Sequence, residues 1–318
     1  MTKEKNYYRN ETELSQNKII KNFQLTILTI RKKSTKLART YLPSPHSELL
    51  LGMTIGLDEL TRTPQFKKAL RNTGTIHVVV VSGFNISLVS GLIYQYLGSK
   101  YKLRNVLIAC VCTLLYAILA GFEAPVVRAW IMGNTLTLGQ YYGRSVNALQ
   151  VLCFSAFIMI CFDPKYVFSL SFQLSFCATA SLIMYSKMFS KIIKGTNILT
   201  EGLTTTLAAQ VLVWPIISYN FGTVSLLSPV ANAFILWVVS ISTVIGCAFL
   251  IFGFISNYFA FAISLVLYPL LDYFIEGVHV FDSYFSLVVP LKIGPWFYGA
   301  YYVFAVAVYK ISKPKLEL

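Results

Sequence analysis

Charge is scarce in this chain. Only 13% of its 318 residues are Asp, Glu, Lys or Arg, against roughly 25% in soluble domains, and 56% are hydrophobic. That shortage excludes an ordinary water-soluble domain. Histidine is scarcer still: His46, His77 and His279 are the full set, too few and too scattered for a two-metal hydrolase centre. The six cysteines, Cys110, Cys112, Cys153, Cys161, Cys177 and Cys247, lie inside apolar segments without the Cys-x-x-Cys spacing of a zinc site. They read as small buried hydrophobes. No Gly-x-x-x-x-Gly-Lys-Ser/Thr loop is present, which argues against ATP hydrolysis. Two carboxylates never share an apolar span, and no Ser/His/Asp set can be placed at one depth. The expectation is a chain that is not an enzyme and holds no metal or cofactor. A charged n-region leading into an apolar core is also missing from Met1 to Asn22, so no cleavable signal peptide is expected.

What the chain has in abundance is apolar length. Its mean hydropathy is +0.62, and segments of the ~17 to 25 residues that span a bilayer recur from Ile76 onward. They fall at 76–98, 105–121, 125–142, 146–162, 166–186, 203–219, 226–252, 255–275 and 296–311. The pattern predicts an all-α, polytopic bundle in the cell membrane with about nine crossings. Gly277 to Pro295, broken by Asp282, Pro290, Lys292 and Pro295, reads as an amphipathic surface element. The formal charge is +14, and Met1 to Thr75 hold 14 Lys and Arg against 6 Asp and Glu. Residues 1–41 therefore form a basic N-terminal region, partly disordered or interfacial, that suits anionic lipids or nucleic acid. Within it Phe23 to Ile30 is too short to span and suits an interfacial helix. A transmembrane domain over 42–312 follows, then a short tail, 313–318. Ser44-Pro45 starts a helix over Glu48 to Gly56 that is re-entrant or interfacial. Loop charges put Lys100, Lys102, Arg104, Arg144, Lys187, Lys191 and Lys194 on the cytoplasmic side, and Glu123, Asp163 and Asp282 on the other.

The stretch Gly74-Thr-Ile-His77-Val-Val-Val-Val-Ser82-Gly83-Phe-Asn85-Ile-Ser-Leu-Val-Ser-Gly91 is long enough to cross yet carries polar groups. As a helix it would align Gly83, Ser87 and Gly91 in a small-residue ridge for a second helix. Ser82 and Asn85 would share another face. His77 and Asn85 should point into the bundle or an aqueous cavity, since hydrocarbon offers them no partner. The run from His77 to Ile86 resembles the signature of the ComEC-type competence proteins, membrane channels that bring single-stranded DNA into bacteria. Many members carry a second His where this chain has Asn85.

Further motifs extend the resemblance from about Leu42 to the neighbourhood of Asn232. Gly121-Phe-Glu123-Ala-Pro125-Val-Val-Arg128-Ala129 places a guanidinium near the start of an apolar segment. A charge at mid-membrane costs about 2.5–3.5 kcal/mol on insertion scales, so Arg128 must snorkel, pair with Glu123 or line a wet path. Gly143-Arg144, Asp163-Pro164 and Leu170-Ser-Phe-Gln173-Leu-Ser175-Phe176 follow in the family's order. Asp163 suits an N-cap with Pro164 at the first helical position. Gln173, near Ser175 in an apolar span, implies an interhelical hydrogen bond or a polar lumen. In Ala208-Ala-Gln210-Val-Leu-Val-Trp214-Pro215, the proline cannot donate to the carbonyl of Val211 and should kink or open the helix. Gly222, Pro229 and Asn232 complete the set of breaks and polar groups.

The resemblance implies a conduit for single-stranded DNA, lined by His77, Ser82, Gly83, Asn85, Arg128, Arg144, Gln173, Ser175, Gln210 and Asn232. Gly91, Asp163, Pro164, Pro215, Gly222 and Pro229 would be structural breaks. It also implies a separate DNA receptor, nuclease and cytoplasmic helicase-type motor as partners, and leaves open a homodimer. The extracellular β-barrel and metallo-β-lactamase-like domains of full-length members are expected to be absent here. A small-solute transporter built on broken helices and a non-enzymatic membrane scaffold are the competing readings.

Overall fold

The computed structural model describes residues 18–79, 83–97, 102–193, 195, 197–285, 288–290 and 295–316. Twelve α-helices occur among them: α1 Lys18–Tyr41, α2 His46–Ile55, α3 Pro64–Asn72, α4 Gly83–Leu97, α5 Leu103–Leu119, α6 Ala124–Tyr141, α7 Ala148–Phe162, α8 Leu170–Ile192, α9 Ile198–Phe221, α10 Ser228–Gly253, α11 Asn257–Tyr284 and α12 Pro295–Leu316. Local chemistry sets several of these boundaries. Asn147 and Ser256 accept from backbone N–H groups two residues on, at 2.9 and 3.3 Å, and so start α7 and α11. Pro64, Pro125 and Pro229 sit in first turns, where a missing N–H costs nothing. Gly56 (φ 70°) and Gly222 (φ 68°) end α2 and α9 in the left-handed region that glycine adopts without strain.

The largest apolar core surrounds α2. All ten residues of this short helix are buried, packed among the second half of α1, α3, α10 and α11. Its apolar residues run Leu49-Leu50-Leu51 and Met53, covering every side, as a helix enclosed by protein requires. The helix expected to be re-entrant or interfacial is thus enclosed by other helices of the bundle. Smaller cores join α4, α5 and α6 through Ile86, Ala117, Ala120 and Val126, and α6, α7 and α8 through Ile131, Met159 and Phe172. A fourth joins α8, α9 and α12 through Tyr185, Ala208, Leu212 and Ala305. Large apolar side chains such as Phe157, Leu265 and Val266 face outward, which suits contact with lipid rather than water.

The architecture is helical as expected, with four differences. Among the described residues three helices, α9, α10 and α11, are long and apolar enough to cross a membrane, and α5 and α7 are shorter apolar helices; nine crossings are not established. The chain also has a two-stranded antiparallel sheet, β1 Thr223–Ser225 against β2 Val288–Pro290, with Val224 opposite Val289. Further, α11 runs nine residues past the expected end, through Asp282 to Tyr284, where Asp282 accepts from Asn72 Nδ2 at 2.8 Å. The N-terminal helix is longer than the expected interfacial stretch, and its second half docks through buried Ser34 and Ala38.

Candidate functional site

The motif-bearing stretch folds as a turn and a helix. Gly74 turns the chain with φ +73°, a 3-10 turn covers Ile76–Val78, and α4 begins at Gly83. His77 is therefore outside the helix, its Nδ1 3.0 Å from the Gly74 carbonyl. Ser82 lies outside the described residues. A Cβ on Gly83 would lie 2.9 Å from Ala129 Cβ and 3.0 Å from Arg128 Nη2. Only glycine lets α4 close on α6 at the Arg-Ala pair. The ridge ends there, because nothing lies within 4 Å of a Cβ on Gly91.

Arg128 carries the contact onward. Its Nη1 donates to the Ser175 carbonyl and to Thr179 Oγ1 on α8, and the guanidinium lies 5.9 Å from the Phe176 ring centroid. Its partners are thus a helix carbonyl, a hydroxyl and a π face, all uncharged. The carbonyl is available for a second donor because an sp² oxygen has two lone pairs. Two polar atoms of the cluster, Arg128 Nε and Ser175 Oγ, are buried with no hydrogen-bond partner among the described residues. A fixed guanidinium with spare donor capacity in an apolar setting is a site poised for an acceptor.

Asn85 does different work. It is only 5% exposed, and its Nδ2 donates to the Met53 carbonyl at 2.7 Å and to Tyr116 Oη at 3.0 Å. Tyr116 Oη in turn donates to the Thr54 carbonyl at 2.7 Å. Met53 and Thr54 belong to the last turn of α2, whose carbonyls have no partner within the helix. Two side chains from α4 and α5 therefore cap the buried end of α2.

The start of the stretch reaches a second polar group. A Cβ on Gly74 would lie 2.5 Å from Ser228 Cβ at the head of α10. Ser228 Oγ accepts from Gln210 Nε2 of α9 at 2.5 Å. Asn232, one turn further along the same face of α10, is 1% exposed. The carbonyl-type oxygens of Gln210 and Asn232 are both buried without a partner among the described residues. The stretch Gly74–Asn85 thus touches two polar clusters, one at Arg128 and one at Gln210.

A family model described as Competence protein matches residues 53–314. The chain belongs to this family. Among relatives in the competence family, ComE operon protein 3 of Bacillus subtilis is 28% identical over 214 residues, covering 66% of this chain and 27% of that protein. Competence protein ComA of Neisseria gonorrhoeae is 26% identical over 202 residues, 58% of this chain and 27% of that protein. An uncharacterized protein of Aquifex aeolicus is 30% identical over 254 residues, 77% of this chain and 56% of that protein. The chain spans about a quarter to just over half the length of these relatives. No solved structure matches it.

The remaining residues that the competence resemblance singled out fall elsewhere. Gln173 Nε2 donates to the Val167 carbonyl at 2.9 Å, tying α8 to the preceding turn rather than to Arg128. Asp163 accepts from Lys165 N at 3.0 Å with Pro164 behind it, and starts the 3-10 turn Pro164–Phe168. Arg144 is exposed in the turn after α6. Sequence reasoning missed Thr179, Phe176 and Tyr116, which complete the clusters. Thr179 could have been found, since it lies one turn beyond Ser175 on the same helical face. Tyr116 carries no such signal in an apolar run with 20 tyrosines in the chain.

Proposed function

We propose that this competence-family chain forms a membrane path for single-stranded DNA, without nuclease or ATPase activity of its own. One observation carries the reading: Gly83, Arg128 and Ser175, from three separate motifs, meet around one guanidinium that keeps an unused buried donor. A polyanion needs positive charge held at depth and contacts that ignore sequence. Gln210 and Asn232, with their unpartnered oxygens, would offer neutral hydrogen-bonding groups along the same route. The basic helix α1, with Lys32, Lys33 and Lys36 exposed, would meet DNA or anionic lipid headgroups through charge alone. A separate receptor, nuclease and helicase-type motor would serve the path, and two copies could pair around it.

The test is uptake of labelled DNA by cells carrying Arg128→Gln. Glutamine keeps a hydrogen-bond donor and removes the charge. Normal membrane abundance with sharply reduced uptake supports the path. Normal abundance with unchanged uptake overturns the role of Arg128. A second reading, a small-solute transporter, draws on the opened turn of α9; it predicts undiminished DNA uptake in a strain deleted for this chain.

A further inference from the structure

Pro215 lies inside α9, which continues as a helix to Phe221. With no N–H at position 215, the Val211 carbonyl loses its partner within the helix. Tyr301 Oη of α12 donates to that carbonyl at 2.8 Å, and Tyr302 Oη donates to the Leu212 carbonyl at 3.1 Å. One turn earlier a second intrusion occurs. Ser181 of α8 donates to the Ala208 carbonyl at 2.5 Å and accepts from Leu212 N at 3.2 Å, so its hydroxyl sits within the backbone ladder. Side chains inserted into the ladder are recognised sites of helix bending. Over Ala208–Pro215, then, α9 depends on hydroxyls from two neighbouring helices.

The helix α12 that supplies two of those hydroxyls is largely exposed, with Tyr298 and Tyr309 set edge-on to Tyr219 and Tyr185. Among its described residues only Ala305 is buried, while Trp296 is 89% exposed and Val303 73%. Its other polar ties are Tyr185 Oη, which donates to the Ala305 carbonyl at 2.8 Å, and a 3.5 Å contact between Tyr298 Oη and Ser218 Oγ of α9. Gln210 lies between the two points where Ser181 enters the ladder. Any bend there moves Gln210 against Ser228.

We propose that Tyr301 and Tyr302 are positioning residues: their hydroxyls latch α12 onto the opened turn of α9, keep α9 straight through Pro215, and so fix Gln210 against α10. Release of the latch leaves the Val211 carbonyl without a donor and lets α9 bend. The latch operates whatever solute crosses the bundle, and its test does not depend on DNA.

The experiment places spin labels on α9 at Glu201→Cys and Phe221→Cys, both exposed positions, in the full chain with its native cysteines replaced by serine or alanine. Twenty residues of helix separate them by about 30 Å, within reach of pulsed dipolar spectroscopy. The parent should give one narrow distance distribution. Tyr301→Phe/Tyr302→Phe keeps both rings and removes both donors, and should add a second, shorter population. Adding Pro215→Ala restores an N–H for Val211 and should abolish that population. A distribution unchanged in the double phenylalanine variant overturns the latch, as does a bent population that Pro215→Ala leaves in place.

Discussion

Replacing Asn85 by leucine should weaken the fold through a bond that is nowhere near solvent. Leucine matches the size of asparagine closely enough to avoid a large void but donates nothing, so the Met53 carbonyl at the end of α2 is left bare. Interhelical hydrogen bonds inside membrane proteins average about 0.6 kcal/mol because the unfolded chain finds other partners. Met53 has no such alternative within the buried end of α2, so the cost of an orphaned acceptor, about 1–3 kcal/mol, applies instead. Tyr116→Phe bares the Thr54 carbonyl in the same way and should cost about as much. Asn85 also donates to Tyr116, so the two changes share a bond. The double variant should therefore cost less than the sum of the singles, by about 0.5 kcal/mol or more. Asn85→His, which keeps a ring N–H, should cost less than the leucine change. Unfolding of purified protein in mixed micelles, titrated with a denaturing detergent, gives all four free energies. Single variants within about 0.5 kcal/mol of the parent, or strict additivity, would refute the capping role. A leucine variant of full stability that fails in DNA uptake would instead place Asn85 on the path.

Two further predictions rest on close approaches. A Cβ on Gly52 would lie 2.5 Å from both Val79 Cγ1 and the Val79 carbonyl oxygen, and backbone cannot step aside, whereas Gly91 has open space; Gly52→Ala should lower the yield of folded protein sharply and Gly91→Ala should not, as read by size-exclusion of detergent extracts, equal yields counting against the packing of α2. Arg31 donates from Nε at 3.1 Å and Nη2 at 2.6 Å to the carbonyl of Leu119, the last residue of α5. That forked contact to a helix C-terminus contributes about 1–3 kcal/mol, so Arg31→Ala should speed amide hydrogen exchange in α1 while leaving α9 unchanged. Unaltered exchange in α1 would show that apolar packing alone docks it.

Helix positions were readable because their signals are local. Apolar runs long enough to span, prolines in first turns and glycines at helix ends placed α5 to α10, with the end of α8 and the start of α9 missed by six and five residues. The extra length of α11 escaped because Glu276 and Asp282 look like the end of a span, whereas Asp282 is engaged by Asn72, 210 residues earlier in the chain. The burial of α2 escaped for a similar reason. Ten residues containing Glu48 are too short to span, and their burial comes from the surrounding α1, α10 and α11.

Packing was legible where a residue type has few uses. Glycine in an apolar helix marks a close approach of a second helix, and at Gly83 α4 does close on α6. Amides are less specific: Asn85 and Gln173 look alike in sequence, yet one caps a neighbouring helix and the other its own preceding turn. Pro215 announced a missing donor, but not what replaces it. The replacement comes from the hydroxyl of Tyr301, one among many aromatic residues whose role depends on the rotation of α12 about its axis. Rotation is set by packing between helices, and an apolar pattern exposed to lipid on one side and protein on the other does not encode it. Two of the hydroxyls that meet the α9 backbone beside Pro215 are therefore supplied from 90 residues away.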